Sequence, residues 1–187
     1  MKKFVFFPIS VLFLFGCEQI RDLVNQTFET EFNREFEWRI PEGSFSQSEP
    51  FREVWEGQLD LSDSDFPDEV RNNISELFEI QVPGITLEIT EMEGELSTPA
   101  SLWGNLDFTD PETGQVVASF PVPEVQIQGE GTVIHVPIEE GLVDQLTNSL
   151  LTMPKLDYSL EFLFSGEGPV NANTHMTVPM EIALQLL

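Results

Sequence analysis

The sequence has few of the residues that cross-link small proteins or bind metal ions. It contains one cysteine and two histidines among 187 residues. One cysteine cannot form an intramolecular disulfide bond, so the fold must depend on a hydrophobic core. A zinc site uses three or four histidine, cysteine or acidic ligands. Two histidines without a cysteine partner therefore make a zinc site a poor explanation of this chain.

Basic residues are also scarce. The chain has 8 lysines and arginines against 33 aspartates and glutamates, which gives a net charge of −25. Without a basic patch to meet phosphates, we expect no nucleic acid partner. So large a charge opposes aggregation but destabilises the compact state by self-repulsion, which salt screens. Two explanations stay open: a protein of a salt-loving bacterium, or an acidic envelope protein of any habitat.

The apolar runs are too short to span a membrane. The run from Phe4 to Phe15 is interrupted by Pro8 and Ser10 and follows two lysines. A spanning helix needs roughly 20 apolar residues, whereas the core of a secretory signal uses roughly 7–15. The pattern predicts a signal peptide over residues 1–16, directly before the single cysteine, Cys17.

The tetrapeptide Leu14-Phe15-Gly16-Cys17 resembles the lipobox of bacterial lipoproteins. The resemblance implies cleavage before Cys17, whose thiol and new amino group would carry acyl chains that anchor the protein in a membrane. Glu18 stands where some members have the aspartate that retains them in the inner membrane, which implies an outer membrane lipoprotein. The alternative is an ordinary signal peptide followed by a free cysteine.

These features predict three parts of the chain. Residues 1–16 form the signal peptide, 17–26 the lipidated cysteine and its tether, and 27–187 a single domain. Loss of the two signal lysines takes the net charge from −25 to −27.

Alternation of apolar and polar residues predicts strands along most of the chain. In FETEFNREFEWRI the aromatic residues share one parity, with Arg34 the exception on the apolar side. Helical spacing predicts two short helices, one over SDSDFPDEVRNNISELF, including Leu77 and Phe78, and one over EGLVDQLTNSLL. Hairpins are predicted at TDPETGQVV and EVQIQGEGTVIHVPI, and two separate strands at the end. The fold class is mainly β: an antiparallel β-sandwich with two short α-helices.

The order of FEWRIP, LDLSDSD and ITLEITEMEGEL resembles exported lipoproteins of Bacteroidota. A weaker resemblance, carried by LDYSLEF and a final strand with a proline, is to the late-embryogenesis-type-2 β-sandwich. Both imply a β-sandwich, and the first implies a cell-envelope location; neither implies a reaction.

A few residues are candidates for chemistry. Clustered carboxylates suit hard cations, so the acidic stretch DLSDSDFPDE offers a weak calcium candidate, although the glycine and final glutamate of an EF-hand loop are missing. Solvation and capping of a helix start explain the same residues. The four candidate ligands are Asp60, Asp63, Asp65 and Asp68.

Trp103 is the candidate ligand-contact residue. It shares the polar parity of its strand, where it either stacks on a sugar or another protein or is covered by a neighbouring loop. His135 and His175 also lie on the polar parity of their strands, and the nucleophile-elbow motif G-x-S-x-G is missing. We therefore predict no catalytic residue, no metal site beyond the calcium candidate and no cofactor.

The leading hypothesis is a non-catalytic, lipid-anchored protein of the cell envelope with a structural, adhesion or ligand-capture role. Its partner would be an envelope protein or a polysaccharide. One alternative is a hydrolase of an envelope or external polymer, which needs a cleft with two close carboxylates, one of raised pKa. Another is a periplasmic lipid carrier, which needs a hollow core.

Replacement of the cysteine tests the anchor. We expect Cys17→Ser to abolish metabolic labelling by fatty acid, because a hydroxyl does not readily form the thioether that a thiolate forms. Labelling of both proteins by radioactive palmitate measures this, and persistent labelling of the variant contradicts the hypothesis.

Overall fold

The computed structural model describes residues 25–94, 96 and 99–185 of the chain. Within them, eight strands, two α-helices and one 3-10 turn follow in the order β1 Asn25–Phe45, β2 Phe51–Asp60, α1 Asp68–Asn72, the 3-10 turn Ile74–Glu76, β3 Leu77–Gln81, β4 Ile85–Glu93, β5 Ala100–Thr109, β6 Val116–Ile127, β7 Val133–Val136, α2 Glu140–Thr152 and β8 Lys155–Gln185. The architecture is the predicted antiparallel β-sandwich with two short helices. Cys17 lies outside the described residues.

The 31-residue strand β8 organises the sheet. β1 and then β2 pair with successive parts of it, from Gln185 back to Lys155. β3, β4 and β5 pair antiparallel with β8 from its other side, so most of β8 has a partner on both edges. β6 extends the sheet beyond β5, and β7 extends it beyond β4.

β8 bends around Gly166 and Gly168 and divides the sheet into two layers. Layer A contains β1, β3, β4, β7 and the second half of β8; layer B contains β2, β5, β6 and the first half. At the bend β8 approaches β1 closely, because a Cβ on Gly168 would lie 2.1 Å from the carbonyl oxygen of Pro41. Only glycine fits there.

The inner faces of the layers meet through aromatic rings. Phe32 and Phe36 of layer A contact Tyr158 of layer B, with ring centroids 5.8 and 6.2 Å apart, and Trp38 contacts Phe164 at 6.3 Å. The buried indole N–H of Trp38 donates a hydrogen bond of 2.9 Å to Thr174, a fully buried hydroxyl. These contacts fill the space between the layers where they meet.

The predicted parity of the strands is confirmed. Apolar residues of one parity are buried on β1, β4, β5 and both halves of β8, and polar residues alternate with them. Arg34, the exception on β1, does face the apolar side, and β1 is an edge strand. Its guanidinium lies 4.3 Å from the ring centre of Phe32 and 2.5 Å from Asp65, so its charge is paired with the loop that follows β2.

Three predicted elements differ from the structure. The first helix ends at Asn72, and Leu77 and Phe78 lie instead in β3, which pairs with β8. The predicted β6–β7 hairpin is wrong, because β7 pairs with β4 of the other layer, and Gly131 and Thr132 bond to the backbone of Ile89. The two final strands are one strand, because both halves keep partners through the bend.

No helix in the described part of the chain has the length and apolar character that crossing a membrane requires.

Gly104 tests how tightly β5 packs against β8. A Cβ at this position would lie 1.8 Å from the carbonyl oxygen of Glu161, so Gly104→Ala must push two central strands apart. We expect a loss of about 3 kcal/mol in the free energy of unfolding, measured by urea denaturation.

Gly141→Ala is the matched control. This glycine lies in the first turn of α2 with open space around it, and alanine favours a helix by up to about 1 kcal/mol. The control should therefore be as stable as the wild type or more so. Equal stability of the two variants would contradict the close packing at Gly104.

Candidate ligand-contact surface

Trp103 lies on the outer face of layer B, as its parity predicts. It is half-buried and lies directly opposite Leu163 of β8. On its other side the register with β6 slips by one residue between Leu102 and Gly104, which marks a β-bulge. Bulges commonly re-aim side chains at functional positions. No described residue accepts a hydrogen bond from the indole N–H of Trp103.

Two rows of side chains across β2, β8 and β5 surround Trp103. In the first row Leu163 of β8 lies between Arg52 of β2 and Trp103 of β5. In the second row Glu161 of β8 lies between Val54 of β2 and Asn105 of β5. We call these six residues the Trp103 surface: Arg52, Val54, Trp103, Asn105, Glu161 and Leu163.

The polar groups of the Trp103 surface are paired with one another or with neighbours. The Arg52 guanidinium forms an ion pair with Glu161. The Asn105 amide donates hydrogen bonds to Asp107 and, at 2.9 Å, to Ser119. What faces solvent is an aromatic ring with a free donor, two aliphatic side chains and neutralised charge. Such a surface suits contact by stacking and hydrogen bonding, and it offers no activated nucleophile or base.

The two histidines lie on the outer face of the other layer. His135 is exposed on β7 opposite Thr86. His175 lies on β8, 3.1 Å from the side-chain oxygen of Asn33 and 3.8 Å from Glu35. Their positions agree with the predicted polar parity.

The carboxylate of each of the four calcium candidates pairs with a basic side chain. Asp63 and Asp65 pair with Arg34, Asp68 pairs with Arg71 and Asp60 lies 3.5 Å from Lys155. Hydrogen bonds from Ser62 and the charge of Lys155 lower the pKa of Asp60 although burial opposes the shift. Across the described residues, no three histidine, cysteine, aspartate or glutamate side chains are placed to share a metal ion.

Sequence reasoning missed a junction between the exposed edges of β1 and β2. The Trp55 indole N–H donates a 3.1 Å hydrogen bond to the Glu37 carbonyl, and the backbone N–H of Arg39 interacts with the Glu53 carboxylate. Both side chains cover backbone groups of an edge strand, which otherwise invite pairing with another chain. The available signal was Glu53 itself, an acidic residue on the apolar parity of β2.

Burial raises the pKa of the Glu53 carboxyl; the Arg39 N–H opposes this shift and the charge of Glu37 adds to it. The Oε2 atom of Glu53 is buried and has no hydrogen-bond partner among the described residues. Glu53 therefore holds a proton more readily in the folded chain than in the unfolded chain.

Comparisons with known proteins bear on the fold alone. Scans against protein-family models and curated proteins give no match. Among solved structures, the chain is similar to the BFDV capsid protein in a decameric assembly, at 9% identity and a TM-score of 0.48, over 84% of this chain and 99% of that one. It is also similar to the infectious bursal disease virus T13 particle protein, at 8% identity and a TM-score of 0.41, over 87% of this chain and 36% of that one.

Glu53→Gln tests the buried carboxyl through the pH dependence of stability. Because the pKa is higher in the folded state, the wild type loses stability as the pH rises from about the ordinary carboxyl value of 4.5 through the folded pKa. The glutamine cannot ionise, so we expect the variant to be more stable than the wild type at pH 7, with a smaller difference below pH 4. Denaturant midpoints across this pH range measure the effect.

Glu56→Gln is the control, since it removes one exposed charge from the same strand. Both variants remove one negative charge and so reduce the repulsion among the carboxylates equally. If Glu53→Gln gains no more stability at pH 7 than Glu56→Gln does, the carboxyl is not strained by burial.

Proposed function

We propose that this chain is a lipid-anchored protein of the bacterial cell envelope that captures a ligand or partner without catalysing a reaction. The anchor rests on Gly16-Cys17 directly after a short apolar segment. The capture role rests on one observation: the Trp103 surface presents an aromatic side chain with a free N–H among polar groups that already satisfy each other.

The arrangement suits a neutral or weakly charged ligand. The one cation on this surface, Arg52, is balanced by Glu161, and the chain as a whole is strongly acidic. A polyanion would therefore meet repulsion without a compensating basic site. An envelope or external polysaccharide, with an apolar sugar face and many hydroxyls, fits the combination of ring, donor and amide. A protein partner with an apolar contact residue is the other form of the same role.

The aromatic contacts between the layers count against the lipid-carrier alternative. A carrier needs a cavity of several hundred cubic ångströms between the sheets. Here Phe32, Phe36 and Trp38 touch rings of the opposite layer in the middle of the sandwich. A bound acyl chain would have to displace them.

The hydrolase alternative has one feature in its favour, the raised pKa of Glu53 with Glu37 nearby. A catalytic acid must reach the substrate. The Oε2 atom of Glu53 is shielded from solvent, and its carboxylate is directed at the backbone of Arg39. This placement favours closure of a strand edge over acid catalysis.

Trp103→Ala tests the capture role. Purified full-length protein in detergent is mixed with insoluble envelope polysaccharide from its own host, and the bound fraction is measured by sedimentation. Loss of a central aromatic contact typically costs about 2 kcal/mol, so we expect the apparent affinity to fall by about 30-fold. The urea midpoint should change little, because the side chain is on the outer face.

Val133→Ala is the control, since Val133 is an exposed apolar residue on the outer face of layer A. It should bind as the wild type does. Equal binding by the wild type and both variants would show that the Trp103 surface does not contact the polysaccharide. No binding by the wild type would contradict capture of this polysaccharide.

A further inference from the structure

Both ends of β8 lie at the same end of the sandwich. Helix α2 ends at Thr152, three residues before β8 begins, and packs along β3. β3 in turn pairs with residues 181–184 at the far end of β8. The helix therefore joins the start of β8 to its finish, and the bend at Gly166 and Gly168 lies at the opposite end. We call these the helix end and the bend end.

The chain enters the described structure at the helix end. Asn25, the first residue of β1, pairs with Gln185. Cys17 is eight residues earlier, so a fully extended chain places it within about 29 Å of Asn25. From Val170 to Gln185, β8 covers sixteen residues, or about 50 Å at strand spacing. An anchor at Cys17 therefore cannot reach past the bend end.

The helix end exposes an apolar side chain in a groove. Phe78 is 42% exposed, which is unusual for its type, and it occupies the extra position of a β-bulge between Leu77 and Glu79. The bulge turns Phe78 away from the core. Beside it, a groove of about 500 Å³ runs between β3 and α2, partly lined by Val143 and Leu151.

The outer face of layer A is less suited to a membrane than this end. The outer face of layer A carries two rows of exposed carboxylates: Glu29, Glu31, Glu35, Glu37, Glu88, Glu91 and Glu93. Anionic headgroups would repel such a face. Two exposed acidic residues line the groove, Glu79 and Asp144. The α1 helix before β3 adds exposed Asp68, which pairs with Arg71, and exposed Glu69.

We propose that the helix end rests on the lipid bilayer, with Phe78 in the interfacial region, and that the Trp103 surface near the bend points away from the membrane. The inference rests on the proposed anchor at Cys17. One phenylalanine is too little to bind a free protein to lipid. A tether of eight residues, however, keeps Phe78 close to the bilayer, and the high effective concentration allows even a weak contact to form.

Environment-sensitive labels test this orientation. Cys17 is the only cysteine, and acylation consumes its thiol, so a cysteine introduced by Phe78→Cys is the only free one in the lipidated chain. The full-length lipoprotein is labelled with a nitrobenzoxadiazole thiol probe and reconstituted into phosphatidylcholine vesicles. We expect brominated lipid to quench the fluorescence at position 78 at least twofold. Asp144→Cys, on the opposite wall of the groove, is a second reporter that does not replace Phe78.

Ser48→Cys is the matched control, an exposed and nearly isosteric change in the turn at the bend end. Its fluorescence should not respond to brominated lipid. If the protein floats with the vesicles but brominated lipid quenches none of the labels, or quenches all three equally, the proposed orientation is wrong and the proposed anchor is unaffected. Failure of the protein to float with the vesicles overturns the anchor, and the orientation with it.

Discussion

The structure depends on the continuity of β8. A strand of 31 residues provides hydrogen-bonding partners for five other strands, and its bend turns one sheet into two facing layers. The pairings are between residues far apart in sequence, as between Asn25 and Gln185. Topologies with such long-range pairing fold slowly, because the entropy of closing long loops is lost before the contacts form. Gly168 is required at the bend because β1 and β8 approach each other there without room for a side chain, and a Cβ on Gly166 would collide with Phe164 and Ala100.

Three of the scarce cations join different elements of the fold: Arg34, Arg52 and Lys155. All five cations of the described residues pair with carboxylates: Arg34, Arg39, Arg52, Arg71 and Lys155. Lys155 joins the start of β8 to the end of β2, and Arg34 joins β1 to the loop after β2. Many of the other described carboxylates are exposed, as along β1 and β4. Their mutual repulsion opposes compactness, and salt relieves it. The core, without a disulfide, has to outweigh that repulsion.

The two outer faces, the helix end and the bend end differ in chemistry, and this difference carries the functional proposals. Layer A is acidic, layer B carries the Trp103 surface, and the helix end carries Phe78 in its bulge. A tether at the helix end would leave the bend end free, which is where Trp103 pairs with Leu163, two residues before Ser165. Anchor and capture surface would then lie at opposite ends of one rigid sandwich, a sensible arrangement for a protein that contacts something beyond its own membrane.

The sequence by itself determined most of the strands, their inward faces and the fold class, because alternation of apolar and polar residues acts locally and repeats with the period of a strand. It also determined that Trp103 faces outward. Only the tertiary structure decided that β7 pairs with β4, that Phe78 leaves the core in a bulge and that Glu53 caps the edge of β1. Each of these depends on which distant segment is the neighbour. The hydrogen bond from the Gly131 N–H to the Ile89 carbonyl, for example, cannot be predicted from the local turn sequence. Partner choice is settled by the packing of the whole core, whereas parity is settled residue by residue.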